Sequence, residues 1–354
     1  MLTALFVFIV FSILIIVHEL GHMFVAKKVG VGVEKFSLGF GRKLFSVNRG
    51  GTEYIMSIFP FGGYVKLAGD NPLECKGAPE EFFSKSVFKR FLIIVSGPVT
   101  NYIFAFLIFT AIFIIGVPTR TTTVGRLLPD YPAETHGIRE GDRIFEIEGK
   151  KVEYWDDLVA IVRKNVAEVP LRFKIERQGK VLDFDIAPKV IKTKNIFKQE
   201  TRIGMIGIAP REEIVLVRHN LFEAVYLGGE RLITLSAVTC KGLWLLVTGG
   251  LPVRESVTGP IGIAFLIGKA AKLGILHLLV LMAHINVALA IFNLLPFPIL
   301  DGGHIAFLVI EKLRGKPVSL KTQEIVGQVA LYALIAFALF VSWNDITKLA
   351  SFRK

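Results

Sequence analysis

The chain has 354 residues, of which 52% are hydrophobic and 20% are charged, and its formal net charge is +12. Soluble domains carry about 25% charged residues, so the apolar excess, which is concentrated in blocks, indicates a membrane protein. The basic residues are spread along the chain without interleaved aromatic residues. This pattern argues against nucleic-acid binding and favours contact with the anionic headgroups of a lipid bilayer. The two cysteines have no CxxC spacing and exclude a disulfide framework.

Four segments are long and apolar enough to span a bilayer, and we predict a transmembrane helix for each. They are residues 2–25, 91–117, 273–300 and 325–343. The first segment lacks the basic start and the cleavage site of a signal peptide, so we expect it in the mature protein. A further segment, 221–248, is apolar but contains charged residues. We predict an amphipathic helix there, at the membrane interface or against the bundle.

Basic residues near the membrane ends set the predicted orientation. They are frequent in the loop 27–90 and in the short loop 312–321. By the positive-inside rule both loops lie in the cytoplasm. Residues 118–272 and both termini then lie outside, because long domains translocate largely regardless of their charge.

The external region contains a small module with a mixed pattern. Alternating strand-like segments surround an amphipathic helix at 155–164, and glycine-containing turns separate them. The module is too small for elaborate chemistry and lacks a cluster of catalytic side chains, so we predict a binding role. Residues 189–220 are too irregular to predict a second module.

The cytoplasmic loop contains two strand-like segments, 54–59 and 64–67, separated by Pro60-Phe61-Gly62-Gly63. We predict that they form an apolar β-hairpin. Because strand edges exposed to lipid are not tolerated, the hairpin is expected beside protein or along a water-filled cavity.

The strongest chemical signal is the segment His18-Glu19-Leu20-Gly21-His22. Histidines at i and i+4 share one helix face and can reach one metal ion, and the adjacent glutamate is placed to accept a proton from an activated water. The alternative is that the motif has no function and lies on the solvated face of a helix. However, the apolar run 2–17 covers about 24 Å of a bilayer core about 30 Å thick. Ionisable residues at such a depth are costly and are functional by default.

A catalytic zinc needs a third protein ligand, and we predict Asp301. It lies at the end of the third span, which crosses the membrane in the same direction as the first, so its depth matches that of His18 and His22. Pro296 and Pro298 should break the helix just before it. The alternative for Asp301 is a helix-ending Asp-Gly turn.

Other polar residues in the spans have weaker signals. The amide of Asn293 is suited to bind an oxyanion or a substrate backbone, and equally to a helix–helix hydrogen bond. Gly97 and Asn101 indicate close helix packing, with Asn101 as a packing or cavity residue. We predict structural roles for three histidines, His277, His284 and His304.

Four motifs together resemble the bacterial site-2 protease family, and they extend along nearly the whole chain. They are His18-Glu19-Leu20-Gly21-His22, Gly62-Gly63-Tyr64-Val65-Lys66, Ser96-Gly97-Pro98-Val99-Thr100-Asn101, and the segment from Asn293 to Gly303. The external module, with Gly141-Asp142-Arg143-Ile144, resembles the PDZ domain of these proteases. Some relatives carry two such modules in tandem, whereas one fits here.

The resemblance implies a zinc metalloendopeptidase of the bacterial inner membrane that cleaves transmembrane segments of single-pass membrane proteins. The implied substrates are anti-sigma factors already trimmed by another protease, or signal-peptide remnants. The PDZ-like domain would lie outside the cytoplasm. Whether it recruits or excludes substrates is open.

The resemblance also implies roles for individual residues. The implied zinc ligands are His18, His22 and Asp301. Glu19 is the implied general base, and Asn293 is an implied contact for the substrate or the transition state. The loop residues implied to bind an extended substrate are Gly63, Tyr64 and Val65.

The predicted fold is a mainly α membrane protein with four transmembrane helices, a cytoplasmic-side β-hairpin and an external α+β PDZ-like domain. We predict four parts. Residues 1–117 form a first membrane half with the zinc-binding helix and the hairpin, and residues 118–190 form a PDZ-like domain. Residues 191–272 form a linker with the amphipathic helix, and residues 273–354 form a second membrane half with the third ligand.

Two other functions stay open. A membrane scaffold would use the module to bind peptide termini, but it has no use for Glu19 beside two ligating histidines. A zinc transporter would place its ligands on several helices near the midplane, whereas these ligands cluster near one face of the membrane.

Overall fold

The structure, a computed structural model, describes residues 2–73 and 75–351. The chain divides into two compact units. We call Met1–Ile112 together with Glu223–Lys354 the membrane unit, and Phe113–Phe222 the inserted module.

Helices account for most of the membrane unit. In chain order the helices are α1 (Leu2–Lys28), α2 (Val87–Ile115), α3 (Pro132–Thr135), α4 (Trp155–Lys164), α5 (Leu221–Val247), α6 (Val253–Ser256), α7 (Pro260–Leu273), α8 (Ile275–Asn293), α9 (Asp301–Arg314) and α10 (Leu320–Ser351). The short helices α3 and α4 lie in the inserted module. Within residues 2–73 and 75–351, four helices are long and apolar enough to cross a membrane, namely α1, α2, α8 and the part Leu320–Lys348 of α10. The four predicted candidate spans are therefore confirmed.

The third predicted span, 273–300, is divided. Helix α8 ends at Asn293, and α9 begins at Asp301 after a short irregular segment. Pro296 and Pro298 lie in this segment, where their missing N–H groups cannot continue a helical ladder.

Small residues let α1 and α2 approach each other closely. A Cβ added to Gly21 of α1 would lie 2.5 Å from the carbonyl oxygen of Ser96 in α2. Helix α8 joins them through Asn286, whose Nδ2 donates to the backbone oxygen of Asn101 at 2.8 Å. Between apolar helices, close contacts and interhelical hydrogen bonds of this kind provide the packing energy.

The strands form several small sheets. In chain order they are β1 (Val33–Arg49), β2 (Thr52–Leu67), β3 (Val117–Arg120), β4 (Val124–Leu127), β5 (Arg143–Ile147), β6 (Lys150–Lys151), β7 (Leu171–Arg177), β8 (Lys180–Ile186), β9 (Lys189–Lys194), β10 (Glu200–Met205), β11 (Ile208–Pro210) and β12 (Ile214–Val217). Strands β1 and β2 pair antiparallel in the membrane unit.

The pairing of β1 with β2 differs from the predicted hairpin. Strand β2 runs from Thr52 to Leu67 without a break, and Phe36 of β1 is paired with both Tyr54 and Val65. The two strand-like segments therefore lie on opposite sides of residues 35–38 instead of against each other. The reason is that residues 33–38 provide buried apolar side chains that both segments can pack beside, including Phe36, which is 5% exposed.

The inserted module has its own hydrophobic core. Strands β6, β5, β7 and β8 form a sheet in that order, and β9 pairs with β10. The core includes Ile144, Ile147, Phe173, Ile175 and Ile186, all 0% exposed.

The later part of the module includes residues that the sequence assigned to a linker. Strand β11 pairs with β4, and β12 pairs with β3. The module therefore continues past residue 190 and through the strands up to Val217, because these strands supply the partners of the first two strands of the module.

Candidate metal centre

Three side chains in the membrane unit converge on one point. His18 Nε2 lies 3.1 Å from Asp301 Oδ2, and His22 Nε2 lies 3.6 Å from Asp301 Oδ1. The two Nε2 atoms are 3.2 Å apart. One ligand atom from each residue lies within 4.8 Å of the others, so the three residues could hold one metal ion.

Local structure explains this convergence. Helix α1 places His18 and His22 one turn apart on one face. Asp301 is the first residue of α9, and the glycine after it permits a tight approach to the end of α8. A Cβ on Gly302 would lie 2.4 Å from the carbonyl carbon of Leu294.

The donor set fits zinc. Two imidazole nitrogens and one carboxylate, with a position left for water or substrate, are a common set for catalytic zinc. His22 Nδ1 donates to the backbone oxygen of Ile93 at 2.8 Å, which leaves the lone pair of Nε2 for a metal. Asp301 Oδ2 is buried without a hydrogen-bond donor among the described residues, and a buried carboxylate oxygen requires a positive partner.

Glu19 lies between these candidate ligands and β2. The backbone N–H of Val65 faces its carboxylate, and a Cβ on Gly63 would lie 3.6 Å from Glu19 Cγ. Tyr64 instead directs its ring to Phe40, with 6.1 Å between the ring centroids. The structure thus brings Gly63 and Val65 beside Glu19, whereas the side chain of Tyr64 packs against Phe40.

Asn293 is the last residue of α8 and is half-buried. Its side chain makes no hydrogen bond to the described residues, including His18, His22 and Asp301. The structure therefore leaves its amide free and does not join it to the ligand group.

Two residues of α2 lie against the candidate ligands, although the sequence indicated only a packing role for Gly97 and a packing or cavity role for Asn101. A Cβ on Gly97 would lie 2.3 Å from His22 Nε2 and 2.7 Å from His18 Cε1. The Nδ2 atom of Asn101 lies 3.4 Å from His18 Nδ1. The available signal was their i, i+4 spacing, which places both on one face of α2.

Known proteins resemble this chain over most of its length. Residues 6–337 match the sequence profile of Peptidase family M50. Cj1068 of Campylobacter jejuni is 33% identical over 344 residues, which cover 96% of this chain and 92% of that protein. Zinc metalloprotease RasP of Geobacillus kaustophilus is 30% identical over 421 positions, which cover 96% of each chain.

Regulator of sigma-E protease RseP of Salmonella typhimurium is 30% identical over 448 positions, which cover 96% of this chain and 97% of that protein. The alignments to RasP and RseP are longer than the 354 residues of this chain. These two relatives therefore contain segments that this chain lacks.

The profile match and the relatives agree with each other and with the zinc-compatible donor set. They confirm the predicted family, the predicted enzyme class and the predicted zinc cofactor. The chain is a zinc metalloprotease of the membrane and belongs to peptidase family M50, the site-2 proteases.

Proposed function

We propose that this protease is an intramembrane endopeptidase that cleaves transmembrane segments of single-pass membrane proteins. The observation that carries the proposal is the position of His18, Glu19 and His22. They lie within α1, a helix long and apolar enough to cross a membrane, and Glu19 also contacts β2. A soluble substrate would not require a site inside such a helix.

In this proposal His18, His22 and Asp301 hold zinc. When bound, zinc supplies a Lewis acid and lowers the pKa of water at the site. Glu19 accepts the proton of the attacking water and returns it to the leaving amine. The free amide of Asn293 contacts the substrate backbone or the developing oxyanion.

The edge of β2 beside Glu19 supports a role in substrate binding. A transmembrane helix hides its carbonyl groups in i→i−4 hydrogen bonds, so a substrate must unwind before attack. Tyr64 pairs with Ser37 of β1 on one side, and the opposite edge faces Glu19. We propose that an extended substrate adds to this edge along Gly63, Tyr64 and Val65, where Gly63 admits a close backbone approach.

We place the protease in the bacterial inner membrane, with the inserted module as a PDZ-like domain outside the cytoplasm. The name of the relative RseP, regulator of sigma-E protease, supports a trimmed anti-sigma factor as the substrate, and signal-peptide remnants are the other candidate. We propose that the module excludes membrane proteins with bulky outer domains. The alternative is that it recruits newly made chain ends.

The test compares Glu19→Gln with the wild-type protein on a transmembrane peptide in detergent. We expect Glu19→Gln to keep its zinc and to lose cleavage, because glutamine cannot accept the proton while the ligands remain. Asp301→Ala should lose both zinc and cleavage. Glu230→Gln changes an exposed glutamate of α5 and should behave as wild type.

Zinc content by atomic absorption and cleavage by mass spectrometry decide the outcome. Near-normal cleavage by Glu19→Gln would contradict its role as the base. Cleavage of a soluble unfolded peptide with no cleavage of the membrane peptide would contradict the intramembrane site.

A further inference from the structure

Each ligating histidine has a second ring nitrogen, and α2 faces both. His22 Nδ1 lies 2.8 Å from the backbone oxygen of Ile93. Because a carbonyl oxygen only accepts, the His22 proton lies on Nδ1 and the lone pair of Nε2 points toward His18 and Asp301. His22 is thus held in the tautomer that a metal ligand requires.

His18 Nδ1 faces the side-chain amide of Asn101, with Nδ2 at 3.4 Å. Asn101 is 1% exposed, and its Oδ1 has no hydrogen-bond partner in the part of the chain that the structure describes. The oxygen and the nitrogen of an amide exchange places by a half-turn of the group, and their assignment follows from their partners.

Two arrangements are therefore possible for the pair. If Nδ2–H donates to His18 Nδ1, the imidazole proton lies on Nε2. This atom is 3.1 Å from Asp301 Oδ2, so its proton would occupy the position that a metal ion needs. If Oδ1 accepts from Nδ1–H, the lone pair of Nε2 is free for a metal. Either arrangement leaves one amide atom of Asn101 without a partner, so hydrogen bonding alone does not favour one of them. A zinc ligand needs a free lone pair on Nε2, and only the second arrangement gives His18 that lone pair.

We propose that Asn101 is a positioning residue of the metal centre, whose Oδ1 accepts a hydrogen bond from Nδ1–H of His18 and fixes the tautomer and orientation of that ligand. The proposal rests on His18 being a zinc ligand in the proposed function. Asn286, which is 0% exposed, holds the same turn of α2 against α8 by donating to the Asn101 backbone oxygen.

The test is the zinc affinity of the full-length protein in detergent, measured by competition with a chromophoric chelator. Asn101→Leu has a similar size but no acceptor, and removal of such a partner weakens metal binding about 10–100-fold. We expect a loss of that size, together with a shift in the absorption bands of the Co²⁺-substituted protein. Asn101→Asp keeps an acceptor oxygen and should bind zinc more tightly than Asn101→Leu.

Thr110→Val is the matched control. Thr110 is buried in the same helix, its Oγ1 also lacks a partner among the described residues, and it faces Gly228 of α5. Its zinc affinity should equal that of the wild type. Asn101→Ala replaces Asn101→Leu if the larger side chain prevents folding.

Wild-type zinc affinity in Asn101→Leu would overturn the proposal. Equal weakening in Asn101→Leu and Asn101→Asp would also overturn it, because a purely packing role is damaged at least as much by a buried carboxylate. His18→Ala separates the two possible failures. If it loses zinc while Asn101→Leu keeps it, only the role of Asn101 is wrong, and if His18→Ala keeps zinc, the ligand assignment fails as well.

Discussion

Gly97 of α2 is the position where one added methyl group tests the geometry of the metal centre. In Gly97→Ala the Cβ would lie 2.3 Å from Nε2 and 2.6 Å from Cε1 of His22, and 2.7 Å from Cε1 of His18. Ordinary van der Waals contact begins at 3.4 Å, so the His22 ring must retreat by about 1 Å, or α2 must move away from α1. A misplacement of about 1 Å costs about 100-fold in rate.

We therefore expect Gly97→Ala to lower kcat/KM about 100-fold and to reduce zinc content. The assay is cleavage of a transmembrane peptide in micelles, with atomic absorption on the same sample. Gly327→Ala is the control, because this glycine lies in α10 and its added Cβ meets nothing within 4 Å. Equal rates and equal zinc content in the two variants would refute the placement of the imidazoles against Gly97.

Three further predictions concern other parts of the chain. Arg90 and Glu311 form a buried ion pair, 6% and 16% exposed, so Arg90→Met should cost about 3–5 kcal/mol and the double variant Arg90→Met/Glu311→Leu should regain part of it. Thermal unfolding in detergent measures both, and wild-type stability of the single variant would contradict the prediction. Cys75 Sγ and the backbone N–H groups of residues 76–78 keep the pKa of Glu81 below its ordinary value. Protection of these amides from hydrogen exchange should therefore hold at neutral pH and disappear as acid protonates Glu81, below about pH 4, whereas pH-independent protection would contradict this. Deletion of residues 117–217 should preserve cleavage of a trimmed substrate and permit cleavage of an untrimmed one, and continued refusal of the untrimmed substrate would show that exclusion is wrong.

The convergence of His18, His22 and Asp301 could be predicted because its signals are local or depend on simple properties. The spacing of His18 and His22 fixes a helix face, and the count and direction of the spans give the depth of Asp301. The contact of Asn101 with His18 could not be predicted. It depends on the rotation of α2 about its own axis, and an apolar helix does not reveal this rotation, because its lipid-facing and protein-facing positions are equally apolar.

Strand partners were harder to predict than strands. The segments 54–59 and 64–67 are extended as expected, but they share a partner in residues 35–38, near the start of β1. Residues 208–217 were not predicted as part of the module, because β11 and β12 are short and pair with β4 and β3, far away in the sequence. Alternation shows that a segment is extended, whereas its partner depends on long-range packing.

The pairing of β3 with β12 places Val117 opposite Val217. The polypeptide thus enters and leaves the inserted module at neighbouring points. A segment with adjacent ends can be lengthened, shortened or exchanged without altering the path of the chain before and after it. Under the proposed exclusion role, replacing the inserted module would change which substrates reach the protease and would leave the residues of the candidate metal centre as they are.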